Sequence, residues 1–380
     1  MKNSGIEWIG NIHDDWKLYK IGSLFKSRNE KVNDTDYPPL SVSKGGVVPQ
    51  MEGVAKSDAS DNRKLVLAND FVINSRSDRK QSCGFSALNG SVSLINTVLY
   101  TDNSNIILPE YTNIVMKNYG FAEEFYRWGH GIVADLWTTR WQEMKNIVLP
   151  IPSIDKQKKI LCLLSSKLER IDNLITNQQT QIEKLKEYKQ TIICENVQNK
   201  FAKEGKQIKL KYICSSQNSN ISAGELIADK FSTPVYGAAG LMGYTSLSGC
   251  KKEYLGIIKD GAGVGRVNIY PKNSLILGTM AYIMPNIYVD LSWLKYTIMS
   301  LRLSESLDKT TIPHIYFKDY GNETVLYVEE SLQRELVLYL DEKCGSIDKL
   351  IAIKQEKIEK LNEYKKSLIY EYVTGKKEVV

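Results

Sequence analysis

Apolar residues recur at every third or fourth position along two long stretches of the chain. The first stripe is Leu164, Leu168, Ile171, Leu174, Gln178, Ile182, Leu185, Tyr188 and Ile192, and the second is Leu340, Cys344, Ile347, Leu350, Lys354, Ile358, Leu361, Tyr364 and Leu368. This spacing places each set on one face of an α-helix. Because no proline or glycine interrupts residues 155–200, the first helix is predicted to extend over roughly 65 Å.

The two stretches are copies of one sequence. Residues 171–197 recur at 347–373, 176 positions later. The identical pairs are Ile171/Ile347, Asp172/Asp348, Leu174/Leu350, Ile175/Ile351, Gln179/Gln355, Ile182/Ile358, Glu183/Glu359, Lys184/Lys360, Leu185/Leu361, Glu187/Glu363, Tyr188/Tyr364, Lys189/Lys365, Ile193/Ile369, Glu195/Glu371 and Val197/Val373. A repeat of this length predicts two pseudo-symmetric halves.

An amphipathic helix of this length needs a partner helix. We expect the two copies to form an intramolecular antiparallel coiled coil about a pseudo-twofold axis. Its helix-pairing residues are predicted to be Ile171, Leu174, Gln178, Ile182, Leu185, Ile347, Leu350, Lys354, Ile358 and Leu361. The polar pair Gln178 and Lys354 would fix the register at some cost in stability. The sequence leaves open the alternative that each helix packs only on its own globular block.

Outside the helices the pattern changes to short β-prone runs separated by turn residues. Residues 64–68, 71–74, 91–100, 105–108, 254–259, 266–270 and 274–277 are predicted strands, and residues 119–128 and 292–307 are predicted helices. The fold class is therefore α+β, with two mixed globular domains separated by the two long helices. The predicted domains are 1–152 and 203–328, with the helices at 153–202 and 329–380.

Composition limits the class of protein more than it identifies one. The 380 residues suffice for two or three domains, and 42% hydrophobic with 25% charged residues is ordinary for a folded protein. The net charge of +6 permits nucleic-acid binding without demonstrating it. Six scattered cysteines and three distant histidines show no zinc-ligand spacing. With no signal peptide and no membrane-spanning run in the sequence, we expect a cytoplasmic location.

A polar and basic loop in the first block is the best candidate there for contacting DNA. The segment 74–82 (NSRSDRKQS) follows an apolar strand. Arg and Lys can contact guanine or phosphate, and Asn or Gln can read adenine. The candidates are Asn74, Arg76, Ser77, Arg79, Lys80 and Gln81. Considered alone, the segment is equally consistent with a solvated surface turn.

The second block contains a glycine-rich turn at 261–265, Gly-Ala-Gly-Val-Gly. A strand pattern rather than a helix follows it, which argues against a dinucleotide site or P-loop. We expect a hairpin that brings Lys259 and Arg266 towards DNA. Lys309 and His314 are weaker candidates in a turn-like segment. For His314, a structural role is more frequent than a contact with DNA.

Catalytic constellations are not evident in the sequence. The Glu187–Lys189 spacing and its copy match half of a nuclease motif, but they lie on a charged helical face without an upstream carboxylate. No Ser/His/Asp arrangement, paired-carboxylate site, methyltransferase N-P-P-Y/F motif or Walker A motif stands out. The residues alone therefore give no positive indication of an enzyme.

The junction at 149–160 (LPIPSIDKQKKI) resembles the L-P-P-L-x-E-Q-x-x-I signature of specificity (S) subunits of type I restriction-modification enzymes. The second junction, 326–336, keeps Gln333 and the apolar spacing but lacks the prolines. Segments 74–80, 90–96 and 259–267 are also similar to strings found in the target-recognition domains of that family. The resemblance covers essentially the whole chain.

This resemblance implies a non-catalytic subunit that recognises double-stranded DNA. Each target-recognition domain would read half of a bipartite site, and the paired helices would set the spacer and dock two methyltransferase (M) subunits. S-adenosylmethionine, ATP and Mg would belong to the M and the restriction/motor (R) subunits, with no cofactor in this chain and no membrane contact. Two alternatives stay open: a nuclease or methyltransferase with an unrecognised site, and a coiled-coil adaptor without a DNA role.

Overall fold

The computed structural model describes residues 1–50, 61–76, 79–131, 137–261, 263–303 and 313–378, and the predicted contact residues Ser77 and Lys309 lie outside these ranges. The chain forms two compact units. The first consists of residues 1–177 and 357–380, and the second of residues 178–356. Within the described part, no helix is long and apolar enough to cross a membrane.

The first unit combines short strands with short helices. Its strands are β1 (Lys2–Asn3), β2 (Asn11–Ile12), β3 (Lys17–Lys20), β4 (Lys26–Arg28), β5 (Lys31–Val32), β6 (Leu40–Ser43), β7 (Gly46–Pro49), β8 (Arg63–Val66), β9 (Phe71–Asn74), β10 (Cys83–Phe85), β11 (Gly90–Ser93), β12 (Asn96–Tyr100) and β13 (Val148–Ile151). Its short helices are α1 (Ile21–Leu24), α2 (Pro109–Lys117), α3 (Tyr119–Arg127) and α4 (Trp141–Met144). The long helix α5 (Ile154–Asn199) begins in this unit.

The second unit has the same mixture. Its strands are β14 (Lys206–Lys209), β15 (Cys214–Asn218), β16 (Thr233–Gly237), β17 (Gly240–Thr245), β18 (Tyr254–Ile258), β19 (Val267–Tyr270), β20 (Leu275–Ile276), β21 (Met280–Pro285) and β22 (Thr324–Tyr327). Its short helices are α6 (Leu210–Ile213), α7 (Leu291–Ser300) and α8 (Phe317–Tyr320), with a 3-10 turn at Ala223–Glu225. The second long helix, α9 (Glu330–Val373), begins here.

Each unit contains a four-stranded antiparallel sheet of the same topology. The order is β10-β9-β12-β4 in the first unit and β19-β18-β21-β15 in the second. In both, the third strand along the chain lies at one edge and the first at the other. The second strands are buried on both faces: residues 71–73 of β9 and all of β18 are buried and carry no charged side chain.

The core of each unit contains parts of both long helices. In the first unit, Leu164 of α5 and Leu368 of α9 belong to one apolar cluster with residues of the globular block. In the second, Ile193 of α5 and Leu340 of α9 join the corresponding cluster. Each unit therefore buries the beginning of one long helix beside the end of the other.

Two strand predictions in the first block were wrong. Residues 91–100 form two strands, since β11 pairs with β8 while β12 pairs with β9 and β4. The side chain of Asn96 donates to the backbone oxygen of Ser93 and stabilises the turn between them. Residues 105–108 form no strand. The side chain of Gln157 instead bonds two of their backbone groups: Nε2 donates to the oxygen of Ile106, and Oε1 accepts from the amide of Leu108.

Candidate nucleic-acid interface

The two predicted DNA-contacting loops occupy the same topological position in their units. Residues 75–82 connect β9 to β10, and residues 259–266 connect β18 to β19. In each sheet the loop leaves the buried second strand and returns as the third strand at the edge. The equivalence could not be inferred from the loops themselves, because their sequences differ.

The backbone of each loop is bonded to the segment that precedes a short helix. In the first unit the amide of Thr139 donates to the oxygen of Ser75 at 3.0 Å. In the second the amide of Ile315 donates to the oxygen of Lys259 at 3.0 Å, and Gly261 N donates to Pro313 O at 3.1 Å. These bonds place His314 beside the second loop, where it forms a β-bridge with Asp260.

Side chains of the first loop make several contacts within their own unit. Asn74 accepts a hydrogen bond from the amide of Arg76 at 3.0 Å. Lys80 forms an ion pair with Glu123 at 2.9 Å and lies 4.5 Å from the ring centre of Tyr126.

Two further first-loop residues differ in exposure. Gln81 adopts a left-handed backbone conformation, φ 64°, and donates to the oxygen of Lys117 at 3.1 Å. Arg79 lies at the surface, whereas Arg76 is partly buried.

The second loop is a hairpin turn with left-handed glycines at Gly261 (φ 89°) and Gly265 (φ 84°). Arg266 is exposed, and its Nε donates to the oxygen of Gly263 at 3.3 Å. Asp260 pairs with His314 and lies 4.0 Å from the ammonium of Lys259. The described candidates of this block thus lie together around one turn.

Three residues that were not predicted from the sequence lie around the first loop. Glu123, Tyr126 and Trp137 are distant from it in sequence and carry no local signal. The rings of Tyr126 and Trp137 are 5.8 Å apart, and Trp137 Nε1 donates to the oxygen of Tyr126 at 2.9 Å. Among the described residues, no group of three or more His, Cys, Asp or Glu could hold a metal ion.

The predicted helix-pairing residues divide into two groups. Ile171, Gln178, Ile182 and Ile347 are buried, and Leu185, Lys354, Ile358 and Leu361 are half-buried. Leu174 and Leu350 differ from expectation, because they are 40% and 48% exposed while the half-buried Ile175 and Ile351 replace them in the stripe. The residues of the stripe are then separated by alternating steps of four and three. These steps give a seven-residue repeat, which keeps the stripe on one face of the helix.

The two polar residues in the stripe contact one another. Lys354 Nζ donates to Gln178 Oε1 at 3.4 Å and to Gln181 Oε1 at 2.5 Å. The Lys354 ammonium therefore has hydrogen-bond acceptors, although the other residues of the stripe around it are aliphatic.

No protein-family model and no curated protein sequence matches the chain. Among solved structures, one on the complex assembly and conformational transition of the type I R-M system contains a chain that is 15% identical. The match covers 96% of this chain and 98% of that chain, with a TM-score of 0.69.

Two further solved structures match over nearly their whole length. They are the HsdS subunit from Thermoanaerobacter tengcongensis (15% identity, 99% and 100% of the two chains covered, TM-score 0.48) and the S subunit of a type I restriction-modification system from M. genitalium (16%, 98% and 99%, 0.39). Both TM-scores fall below 0.5, so the fold assignment depends on the first comparison. The chain therefore shares its fold with a protein of the type I R-M system.

Proposed function

We propose that this chain is the non-catalytic DNA-recognition subunit of a type I restriction-modification complex. The observation that carries the proposal is the pair of units with one sheet topology and two different polar loops at the same connection. A protein that reads two different DNA half-sites can use the same fold twice, with a different loop in each unit. The fold likeness to a type I R-M protein supports the same function.

The chemistry of the loops suits base and phosphate contacts. Arg79 and Arg266 are exposed guanidinium groups at the two equivalent connections. A guanidinium can bind guanine O6 and N7 in the major groove, or a phosphate. We expect each unit to read one half of a bipartite site.

We further infer that α5 and α9 form an antiparallel coiled coil with pseudo-twofold symmetry. Support comes from two ion pairs, Lys365–Asp172 at 2.6 Å in the first unit and Lys189–Asp348 at 2.7 Å in the second. These residues are repeat partners: Asp172 corresponds to Asp348 and Lys189 to Lys365. Such reciprocal contacts are typical of an interface between twofold-related elements.

Partner docking is proposed for the outer faces of the same helices. The repeat partners Tyr188 and Tyr364 are 59% and 52% exposed, and the repeat partners Leu174 and Leu350 are 40% and 48% exposed. Packing within either unit does not require these exposed residues to be the same in the two copies. It fits two copies of one partner, the M subunits, with R subunits, S-adenosylmethionine, ATP and Mg completing a cytoplasmic complex.

The test is to map methylated adenines genome-wide in a strain with and without this gene. A bipartite motif with a fixed gap should disappear with the gene. Replacing Arg76, Arg79 and Arg266 by Ala should weaken the salt-dependent DNA binding of the chain. If those changes leave affinity and sequence preference intact, the assigned contact residues are wrong.

Two alternatives predict different results. A nuclease or methyltransferase would act on DNA as the purified chain alone, with Mg²⁺ or S-adenosylmethionine. A coiled-coil adaptor without a DNA role would show no salt-dependent DNA shift. Either result would contradict the proposed function.

A further inference from the structure

A groove of about 390 Å³ lies beside the glycine-rich loop of the second unit. Four separated parts of the chain line it: β15, the residue that follows β18, Ala281 of β21, and the segment around α8. The lining residues include Asn218, Lys259, Ala281, His314, Tyr316 and Lys318. Only Lys259 and His314 among them were predicted from the sequence to contact DNA.

The described residues that line the groove include two lysines, Lys259 and Lys318, and no carboxylate. Asp260, which pairs with His314 and lies 4.0 Å from the Lys259 ammonium, adjoins the lining without being part of it. A larger groove in the first unit contrasts with it, because Glu7, Glu123, Glu124, Arg127 and Lys366 line that surface together. Cationic side chains in a concave surface attract a polyanion.

An exposed aromatic ring is fixed in position at the groove. The Tyr316 ring lies 4.1 Å from the ring of His314, and the Lys318 ammonium lies 5.0 Å from its centre. Although Tyr316 contacts both neighbours, 53% of its surface is exposed. The three side chains present a ring face, a hydroxyl and a cation together, all of which nucleic acids can contact.

A polar edge strand also lines the groove. β15 pairs with β21 on one side only and carries the sequence Cys-Ser-Ser-Gln-Asn. Asn218 is exposed and lines the groove, whereas the neighbouring Gln217 does not. The side chain of a residue on an edge strand can reach base edges in DNA. The side-chain amide of asparagine can form two hydrogen bonds with adenine, at N6 and N7.

We propose that this groove is the binding surface for duplex DNA in the second unit. Lys259 and Lys318 contact phosphates, and Asn218 reads a base. The inference depends on the proposed function and adds the surface that a half-site occupies. It assigns Asn218, Tyr316 and Lys318 to DNA binding, although their local sequences give no such indication.

The first experiment measures binding of the full-length chain to random-sequence duplex DNA over a series of salt concentrations. Lys318→Ala should weaken binding to all sequences and reduce the slope of log affinity against log salt by about 0.9, the value for one lost phosphate contact. Lys252→Ala is the matched control, because Lys252 is an exposed lysine of the same unit outside the groove. The control should leave the slope unchanged.

The second experiment sequences the DNA molecules that the chain selects from the same random pool. Asn218→Ala should relax base preference in one half of the selected motif and leave the other half intact. Gln217→Ala should preserve both halves. Unchanged thermal unfolding midpoints will show that the variants remain folded.

The outcomes separate the groove from the proposed function. If Lys318→Ala behaves as Lys252→Ala does, or if Asn218→Ala behaves as Gln217→Ala does, the groove is not the binding surface although the chain still recognises DNA. If the unmodified chain binds no duplex DNA, the proposed function itself fails, and the inference fails with it.

Discussion

A buried glutamine joins each long helix to its globular block. Gln157 Oε1 accepts from the amide of Leu108 at 2.9 Å, while Nε2 donates to the oxygens of Ile106 at 2.7 Å and Pro152 at 2.9 Å. Leu108 directly precedes α2. One side chain therefore bonds the start of α5 to the start of another helix.

Gln333 makes the equivalent contacts in the second unit. Its Oε1 accepts from the amide of Asp290, the N-cap of α7, at 2.9 Å, and its Nε2 donates to the oxygen of Val328 at 2.8 Å. The retained glutamine of the second junction thus has a physical explanation, even though the prolines are absent there.

Replacing Gln157 by Ala should lower the free energy of unfolding by about 2–3 kcal/mol, because buried backbone groups lose their partners. Chemical denaturation measures the change. Gln179→Ala, at an exposed position of the same helix, should cost less than about 0.5 kcal/mol. Equal effects of the two substitutions would show that the buried contacts do not stabilise the fold.

Buried thiols predict how stability depends on pH. Burial raises the pKa of Cys83 from its ordinary value of 9.0 to about 12. The folded chain therefore keeps this thiol protonated, while the unfolded chain ionises it above about pH 9. The contribution of the protonated Cys83 thiol to the free energy of unfolding is fully present below pH 9. It is lost as the pH rises towards 12.

At pH 10.5 this single group should reduce the free energy of unfolding by about 2 kcal/mol relative to pH 8. Cys83→Ala should make the decline shallower by that amount in denaturation experiments at the two pH values. Cys162→Ala removes an exposed thiol and should leave the profile unchanged. A wild-type profile in the Cys83→Ala variant would contradict the assignment.

At the scale of elements, strands with strong local patterns were predicted well. β9 was predicted with its observed bounds, and β18 and β19 within one residue at an end. The errors at 91–100 and 105–108 arose where strand pairing and a distant side chain determined the backbone conformation. Local sequence carries no information about either partner.

The reciprocal ion pairs predict a charge-exchange result. Asp172→Lys should destabilise the chain by about 0.5–1 kcal/mol, since it places a lysine against Lys365. Adding Lys365→Asp should restore much of the loss, and a double-mutant cycle from denaturation data measures the coupling. The Glu183–Lys186 pair, which lies within α5, supplies the control.

The same exchange at Glu183 and Lys186 should not alter how the two helices contact each other. If the Asp172–Lys365 cycle shows no coupling, these charges do not determine the register of the long helices.

At the scale of the molecule, the proposed function makes the long helices determine the gap between half-sites. Inserting seven residues after Asn177 and seven after Ile353 keeps the apolar stripe in phase. Each helix then lengthens by about 10.5 Å, which corresponds to roughly three base pairs at 3.4 Å each. The methylated motif should show its gap widened by about that amount.

An insertion of the same length in the exposed turn after Lys44 is the control and should leave the gap unchanged. If the helix insertions preserve the gap, the helices do not act as the spacer, whatever the two units recognise.

The sequence alone determined the two long helices, their repeat and the α+β class, because helical periodicity and internal identity are local or one-dimensional properties. It also located both loops, since polar residues after apolar strands are visible in the order of residues. Only the tertiary structure decided that the loops occupy one topological position and that Ile175 replaces Leu174 in the stripe. The groove of Asn218, His314 and Lys318 likewise required the fold. Contacts between residues far apart in the chain depend on strand order and helix packing, which residue order does not specify.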